Sequence, residues 1–242
     1  MFGNEDEKAL EEMLLAYGIE TTHEQRACLL KYLELLLEKN KVLNLTSITD
    51  PAEALILHIV DSLVVSLYMK EGKTFCDIGT GGGTPGIPLG CVTGFDGVLI
   101  DSVRKKVTAV NEFIEQLGLQ KHLVGKHMRA EEITPEMKRV FDFVVSRAVG
   151  KTNIIIEYAE PFLTLGGCLL VQKANLEKVE LQEASQAAAL CGFENVSRET
   201  FELPQGLGHR EILIYRKVKQ AQIKFPRKNG QAKREPLGHI KE

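Results

Sequence analysis

The chain has 242 residues, 44% of them hydrophobic and 26% charged, which suits one large α/β domain with a packed core. No apolar run reaches the length of a membrane span, and the acidic first seven residues do not resemble a signal peptide. We therefore expect a cytoplasmic protein that does not bind a membrane. The five cysteines are scattered and never spaced C-x-x-C, which favours reduced core residues over a metal site.

Residues 1–72 are predicted to form a helical extension that packs on the rest of the chain. Thr22 and Gln25 have the spacing of a capping box, and the leucines that follow recur with helical period. A further helix is predicted to start at the Asp50 cap and to end at Gly72.

From residue 73 to residue 216, short β-type runs alternate with helical stretches. Five βα units are followed by two strand-like runs with no long helix between them. This order predicts an α/β fold with a Rossmann-like sheet, mostly parallel with one antiparallel strand, and a ligand crevice at the carboxyl ends of its strands. The predicted strands cover residues 74–78, 98–101, 123–127, 141–146, 168–172, 196–201 and 211–215.

A glycine-rich loop follows the first predicted strand, in the order Asp77-Ile78-Gly79-Thr80-Gly81-Gly82-Gly83. Glycine lets a backbone turn sharply and come close to a ligand. The second predicted strand ends in Asp101, where a βαβ unit can place a carboxylate beside the same loop to hold a ribose diol. Together these features predict a cofactor that contains a nucleoside.

Two cofactors fit this pattern. Residues 81–86 satisfy the dinucleotide fingerprint G-x-G-x-x-G, which leaves NAD open. However, Asp77 before the first glycine is typical of the loop of S-adenosylmethionine-dependent methyltransferases. Pro85 also removes a backbone N–H that a pyrophosphate would need, whereas methionine carries no phosphate. The loop therefore favours S-adenosylmethionine.

Polar residues at the other predicted strand ends are further site candidates. Arg147 follows the fourth strand and Lys173 the fifth, where a cation could contact a methionine carboxylate or a substrate phosphate. Ala130 and Glu131 close the third strand-to-helix turn, where a backbone N–H and an acid could receive adenine.

His58 and Asp61 stand three residues apart on a predicted helix, so they share one face. We interpret Asp61 and the adjacent Ser62 mainly as hydrogen-bonding anchors that fix the N-terminal helices over the cofactor. Contact of His58 and Asp61 with a substrate is the alternative.

The C-terminal residues 217–242 are predicted to be a basic tail. Counted from Arg216, this end of the chain has nine Lys or Arg and two Glu, a charge of +7, which leaves −10 for the rest of a chain with net charge −3. Basic residues punctuated by Pro and Gly, among them Arg227 and Lys228, can lie along a phosphate backbone. A solvated extension remains the alternative.

Several motifs of base-catalysed chemistry are absent from the sequence. There is no Asn/Asp-Pro-Pro-aromatic motif, no Pro-Cys dipeptide, no G-x-S-x-G elbow and no His/Cys metal cluster. A cofactor crevice without an evident base suits a nucleophile with a free lone pair, such as guanine N7, for which alignment replaces deprotonation. We therefore predict neither a general base nor a metal.

Taken in order, these segments closely resemble the ribosomal RNA small-subunit methyltransferase G family, also called glucose-inhibited division protein B. The resemblance runs from about Leu33 to Leu237, with departures at Gly82, Thr84 and the Gln172-Lys173-Ala174 segment. It is carried by His58-Ile59-Val60-Asp61-Ser62, Asp77 through Leu89, Leu99-Ile100-Asp101-Ser102, Ser146-Arg147-Ala148 and Lys224-Phe225-Pro226-Arg227-Lys228.

This resemblance implies a seven-stranded methyltransferase sheet in a bacterial enzyme. Such an enzyme would transfer a methyl group from S-adenosylmethionine to N7 of a guanine in the 530 loop of 16S rRNA, free or in the small ribosomal subunit. By motif position, the resemblance implies cofactor contacts at Gly79, Thr84, Ala130, Glu131 and Arg147, with Asp101 at the ribose. We also expect a monomer. Removal of residues 224–242 should then spare cofactor affinity and impair use of rRNA.

Three other functions stay open on sequence grounds. A small-molecule methyltransferase would leave the basic tail idle. An NAD-dependent reductase would use the offset G-x-G-x-x-G, and a non-catalytic assembly factor would bind rRNA without methyl transfer.

Overall fold

The computed structural model describes residues 2–70, 72–147 and 149–240 and centres on a seven-stranded sheet. Its strands lie in the order β3-β2-β1-β4-β5-β7-β6. β7 runs antiparallel to β5 and β6, whereas the other neighbouring strands are parallel. The predicted sheet is thereby confirmed, with strands β1 (Thr74–Ile78), β2 (Asp96–Asp101), β3 (Leu123–His127), β4 (Phe141–Arg147), β5 (Leu163–Lys173), β6 (Phe193–Glu202) and β7 (His209–Lys217).

β5 begins earlier than the predicted residues 168–172. Leu163 pairs with Phe141, and the register then shifts so that Phe143 pairs with Cys168. Gly166 lies inside this irregular part with a φ of +88°, a conformation that L side chains rarely adopt. Gly166 and Gly167 interrupt the β-type run at this bulge, so the predicted strand began only at residue 168.

The described residues before β1 form three helical segments. Helices α1 (Asn4–Ala16) and α2 (His23–Leu43) come first, and the predicted capping box at Thr22 of α2 is confirmed. The third segment begins at α3 (Pro51–Ala54), where the Asp50 side chain accepts the N–H of Glu53 as predicted. It ends before the predicted Gly72, after a π-helical stretch (Leu55–Val60), α4 (Asp61–Leu63) and a 3-10 stretch (Val64–Tyr68).

The third segment is also long and apolar enough to cross a membrane, a feature that the sequence analysis overlooked. Residues Pro51–Tyr68 have a mean hydropathy of 1.4, and 61% of them are buried inside the protein. The core helix of a globular protein is likewise apolar and mostly buried. The expectation that the protein does not bind a membrane therefore stays a prediction.

The two faces of the sheet carry two separate hydrophobic cores. Successive residues of a strand point to opposite faces, so Phe75 belongs to one core and Cys76 to the other. The Phe75 core also contains Leu10 and Leu33, so the N-terminal helices cover this face together with α5 (Gly86–Thr93) and α6 (Arg104–Gln116). The opposite core is covered by α7 (Thr152–Ala159) and α8 (Lys178–Cys191).

Residues 224–240, here called the C-terminal strap, pack on the α7–α8 face. The strap contains α9 (Gln231–Arg234), in which Ala232 is fully buried, and its Phe225 and Leu237 rest against the same core. The Asn153 side chain donates a hydrogen bond to the carbonyl of Leu237 at 2.9 Å. The basic tail therefore folds against its own domain. Residues 241 and 242 of the predicted tail lie outside the described residues, as does Ala148 of the Ser-Arg-Ala motif.

Candidate cofactor and substrate sites

Glycines determine the backbone conformation of the loop between β1 and α5. Gly79 has a φ of +79°, and a Cβ at this position would lie 2.4 Å from a Val149 methyl carbon, so a larger residue would collide. The buried Asp77 stabilises the loop from below, because its Oδ2 accepts the N–H of Gly86 at 2.9 Å. Burial raises the pKa of Asp77 to about 7. Asp77 therefore shapes the loop from within the core.

Asp101 stands at the end of β2, beside this loop. Its Oδ2 accepts the N–H of Gly81 at 3.0 Å, and its Oδ1 accepts the N–H of Val103 at 2.8 Å. A carboxylate has about four lone-pair positions, so Asp101 still has acceptor capacity after both bonds. The carboxylate is thus fixed in place and can still accept hydrogen bonds from a diol.

A cavity of about 310 Å³, here called the first cavity, opens above these residues. It brings together four of the six predicted cofactor residues: Gly79, Asp101, Ala130 and Glu131. Thr84 is outside this lining, and its backbone N–H donates to the Thr80 carbonyl at 3.0 Å. Several other lining residues were not predicted as cofactor contacts from the sequence, namely Ser102, Lys106, Met128, Tyr158 and Lys233.

The C-terminal strap reaches one wall of the first cavity. Glu131 Oε1 accepts the backbone N–H of Gly230 at 2.9 Å, and Lys233 of α9 lines the cavity. Tyr158 of α7 lies next to Glu131, and burial raises its pKa to about 12, so the phenol keeps its proton. Glu131 is therefore held by a segment about a hundred residues away in sequence.

A second cavity of about 340 Å³ lies at the carboxyl ends of β4 and β5. It gathers the predicted residues His58, Asp61, Arg147 and Lys173, together with Gln172 and Arg210, which the sequence analysis had not named as site residues. The two cavities share the carboxyl edge of the sheet, where open α/β sheets bind ligands. Arg147, the sixth predicted cofactor residue, thus lines the second cavity rather than the first.

Asp61 is the centre of a charged network in the second cavity. Its Oδ2 accepts hydrogen bonds from Arg147 and from Arg210, both at 3.2 Å, while Arg147 also donates to the Leu57 carbonyl at 2.7 Å. These contacts connect α4 to β4 and β7. Ser62 instead donates to the His58 carbonyl of its own helix, at 2.6 Å.

His58 is buried beside this network and is neutral near pH 7. Its Nε2 is 3.0 Å from the Thr46 hydroxyl. Burial lowers the pKa of His58 to about 3, and the charge of Arg147 adds to the effect.

Of the remaining candidates, Lys173 and Arg227 are engaged within the chain. Lys173 donates to the Gly150 carbonyl and pairs with Glu180 at 2.7 Å. Arg227 forms a two-pronged ion pair with the buried Glu157, whereas Lys228 is exposed. Among the residues that the structure describes, no group of three or more His, Cys, Asp or Glu could hold a metal ion.

We expect the contributions of Asp77 and His58 to the stability of the fold to depend on pH in opposite directions. An ordinary Asp has a pKa of about 4, whereas the pKa of Asp77 in the folded protein is about 7. The contribution of Asp77 to the free energy of unfolding is therefore present below about pH 4 and is lost as the pH rises to 7. An unfolded His titrates near 6.5, so the contribution of His58 is present above that pH and is lost as the pH falls towards 3.

Melting temperatures of Asp77→Asn and His58→Gln between pH 4 and 7 test this pair. Relative to the unmodified protein, Asp77→Asn should gain stability as the pH rises, and His58→Gln should gain as it falls. Curves that run parallel to the unmodified protein would contradict the assignment.

Comparison with known proteins gives one consistent family. A family model described as rRNA small subunit methyltransferase G matches residues 25–212. The ribosomal RNA small subunit methyltransferase G of Alkaliphilus oremlandii is 36% identical over 234 residues, covering 94% of this chain and 97% of that protein. The protein of the same name from Staphylococcus epidermidis is 37% identical over 232 residues, with coverage of 94% and 97%.

Solved structures of other methyltransferases share the fold. The B. subtilis tRNA methyltransferase TrmK superposes with a TM-score of 0.53 at 17% identity, covering 66% of each chain. A sarcosine dimethylglycine methyltransferase from Galdieria sulphuraria gives a TM-score of 0.52 at 15% identity, covering 71% of this chain and 89% of that one. At these identities the likeness concerns the fold alone.

Proposed function

The chain belongs to the rRNA small subunit methyltransferase G family, and we propose that it transfers a methyl group from S-adenosylmethionine to N7 of a guanine in the 530 loop of 16S rRNA. The observation that carries this proposal is the family match over residues 25–212, within a chain whose predicted glycine loop and Asp101 meet at one cavity. The substrate is 16S rRNA, free or in the small ribosomal subunit, and the enzyme acts as a cytoplasmic monomer.

The residues of the first cavity fit S-adenosylmethionine. Gly79 leaves open the space that a Cβ would fill against Val149, and the anchored carboxylate of Asp101 can receive the ribose hydroxyls. Ala130 and Glu131 would hold the adenine. Pro85, buried in the loop, offers no N–H for a pyrophosphate, which supports this cofactor over a dinucleotide.

Two predicted contacts need further explanation. The Arg147 guanidinium lines the second cavity and keeps donors beyond the one that holds Leu57 and Asp61, so it can still bind a methionine carboxylate. Thr84 lies in the loop rather than in the cavity lining, so its contribution would be to the shape of the loop.

The bound cofactor supplies an electrophilic methyl group on its sulfonium. Guanine N7 has a lone pair and no proton, so the protein needs no base and its task is to align the base with the methyl group. The neutral His58 and the ion-paired Arg147 and Asp61 line the cavity in which the base would be aligned. The exposed Lys228 is the tail residue that we propose to contact RNA.

The decisive experiment is transfer of labelled methyl to 16S rRNA and to small subunits from a strain that lacks the enzyme. Borohydride reduction and aniline cleavage then locate N7-methylguanine. We expect one cleavage site, in the 530 loop. If the protein binds S-adenosylmethionine but methylates neither substrate, the proposed RNA target is wrong. If the protein binds rRNA and still methylates neither substrate, it is a non-catalytic assembly factor.

A further inference from the structure

Three residues that line the second cavity each have a buried side-chain atom without a hydrogen-bond partner. Among the described residues, five such side-chain atoms occur, and three of them are His58 Nδ1, Asp61 Oδ1 and Gln172 Oε1. All three residues line this cavity and are at most 5% exposed. A buried polar group without a partner costs about 1–3 kcal/mol, so their clustering indicates a ligand that supplies the missing partners.

The two oxygens are held in place by their own neighbours. Arg147 and Arg210 both bind Oδ2 of Asp61, which leaves Oδ1 free. The Gln172 amide nitrogen donates to the backbone carbonyl of Asp61 at 2.6 Å, and this bond leaves its Oε1 as the free atom. Two residues of the cavity lining, joined by this hydrogen bond, therefore each keep one acceptor oxygen without a partner.

Two neighbouring acceptors need a ligand edge with two neighbouring donors. Guanine has such an edge, because its N1–H and its 2-amino group are adjacent on the Watson–Crick side. Adenine and cytosine place an acceptor next to their amino group, and uracil places its single N–H between two carbonyls. A volume of about 340 Å³ is within the usual range of small-ligand pockets.

We propose that Asp61 and Gln172 determine the specificity for guanine by accepting hydrogen bonds from its N1–H and 2-amino group. The inference rests on the proposed function and assigns the residues that contact the target base. Guanine N7 belongs to the opposite, five-membered ring, so binding of the Watson–Crick edge leaves it uncovered. The same acceptors would repel the lone pairs of adenine N1 and cytosine N3.

Inosine provides the test, since it keeps N7 and N1–H and lacks only the 2-amino group. Small subunits are reconstituted with ligated 16S rRNA that carries guanosine or inosine at the methylated position. We expect the unmodified enzyme to lose about 10- to 100-fold in kcat/KM on inosine, the effect of leaving one buried acceptor unpaired. In Asp61→Asn or Gln172→Met, whichever faces the amino group, this discrimination should fall to about threefold or less.

Gln222→Met is the matched control. Gln222 is exposed and donates to the Ala189 carbonyl, far from the second cavity in the fold, so the same chemical change should leave the discrimination intact. Calorimetric affinity for S-adenosylmethionine shows that Gln172→Met is folded, which matters if Asp61→Asn disturbs its arginine partners. Equal rates of the unmodified enzyme on guanosine and inosine, or full discrimination in both variants, would overturn the inference while the proposed function stands. No methylation of the guanosine substrate would overturn both.

Discussion

Replacement of Asp101 by alanine is expected to lower the affinity for S-adenosylmethionine about 100-fold. The carboxylate stands in the wall of the first cavity, where two backbone N–H groups hold it in position. Hydrogen bonds to a charged group contribute about 1.5–3 kcal/mol, and each 1.4 kcal/mol is a factor of ten in affinity. Alanine also releases the N–H of Gly81, so the glycine loop loses an anchor at the same time. Isothermal titration calorimetry measures the combined effect.

Asp142 provides a control, because its side chain holds backbone N–H groups as that of Asp101 does but lies outside the first cavity. Its Oδ2 accepts the N–H groups of Lys73 and Thr74, at the opposite end of β1 from the glycine loop. Asp142→Ala should therefore destabilise the fold and leave the calorimetric affinity unchanged. If Asp101→Ala binds S-adenosylmethionine as tightly as the unmodified protein does, Asp101 has no part in cofactor binding.

The parts of the fold that follow from local patterns could be predicted from the sequence. Short β-type runs between helical stretches located the parallel strands, and short polar motifs located the helix starts at Thr22 and Asp50. β5 was predicted too short because glycines interrupt its β-type run at the bulge around Gly166.

Site residues could be predicted from the sequence only where they lie at or near the carboxyl end of a strand. Asp101 is the last residue of β2 and Glu131 lies four residues after β3, so the parallel topology is enough to bring them to one edge of the sheet. Arg210 could not be found in this way, because its contact with Asp61 joins residues 149 apart in sequence. Gln172 had a signal, since it directly precedes Lys173 at the end of β5, but only the structure reveals its unpaired oxygen.

The C-terminal strap changes the expectation for a truncated protein. Sequence analysis predicted that removal of residues 224–242 would spare cofactor affinity, because basic residues suggested a free tail. The structure places Lys233 in the first cavity and bonds Gly230 to Glu131. Truncation should therefore weaken S-adenosylmethionine binding as well as use of rRNA, and it should lower the melting temperature because Ala232 and Leu237 no longer cover their core.

Arg227→Met tests the strap with one substitution and should destabilise the protein by about 3–5 kcal/mol. Glu157 is only 4% exposed, so loss of Arg227 leaves a buried carboxylate without its partner. Adding Glu157→Gln should recover part of this loss, because it removes the unpaired charge. Lys228→Ala, at the exposed neighbouring position, should change stability by less than about 0.5 kcal/mol and should reduce the salt dependence of rRNA binding. Urea denaturation curves measure the stabilities. If Arg227→Met is as stable as Lys228→Ala, the ion pair with Glu157 does not stabilise the C-terminal strap. Arg227 would then again be a candidate for contact with RNA.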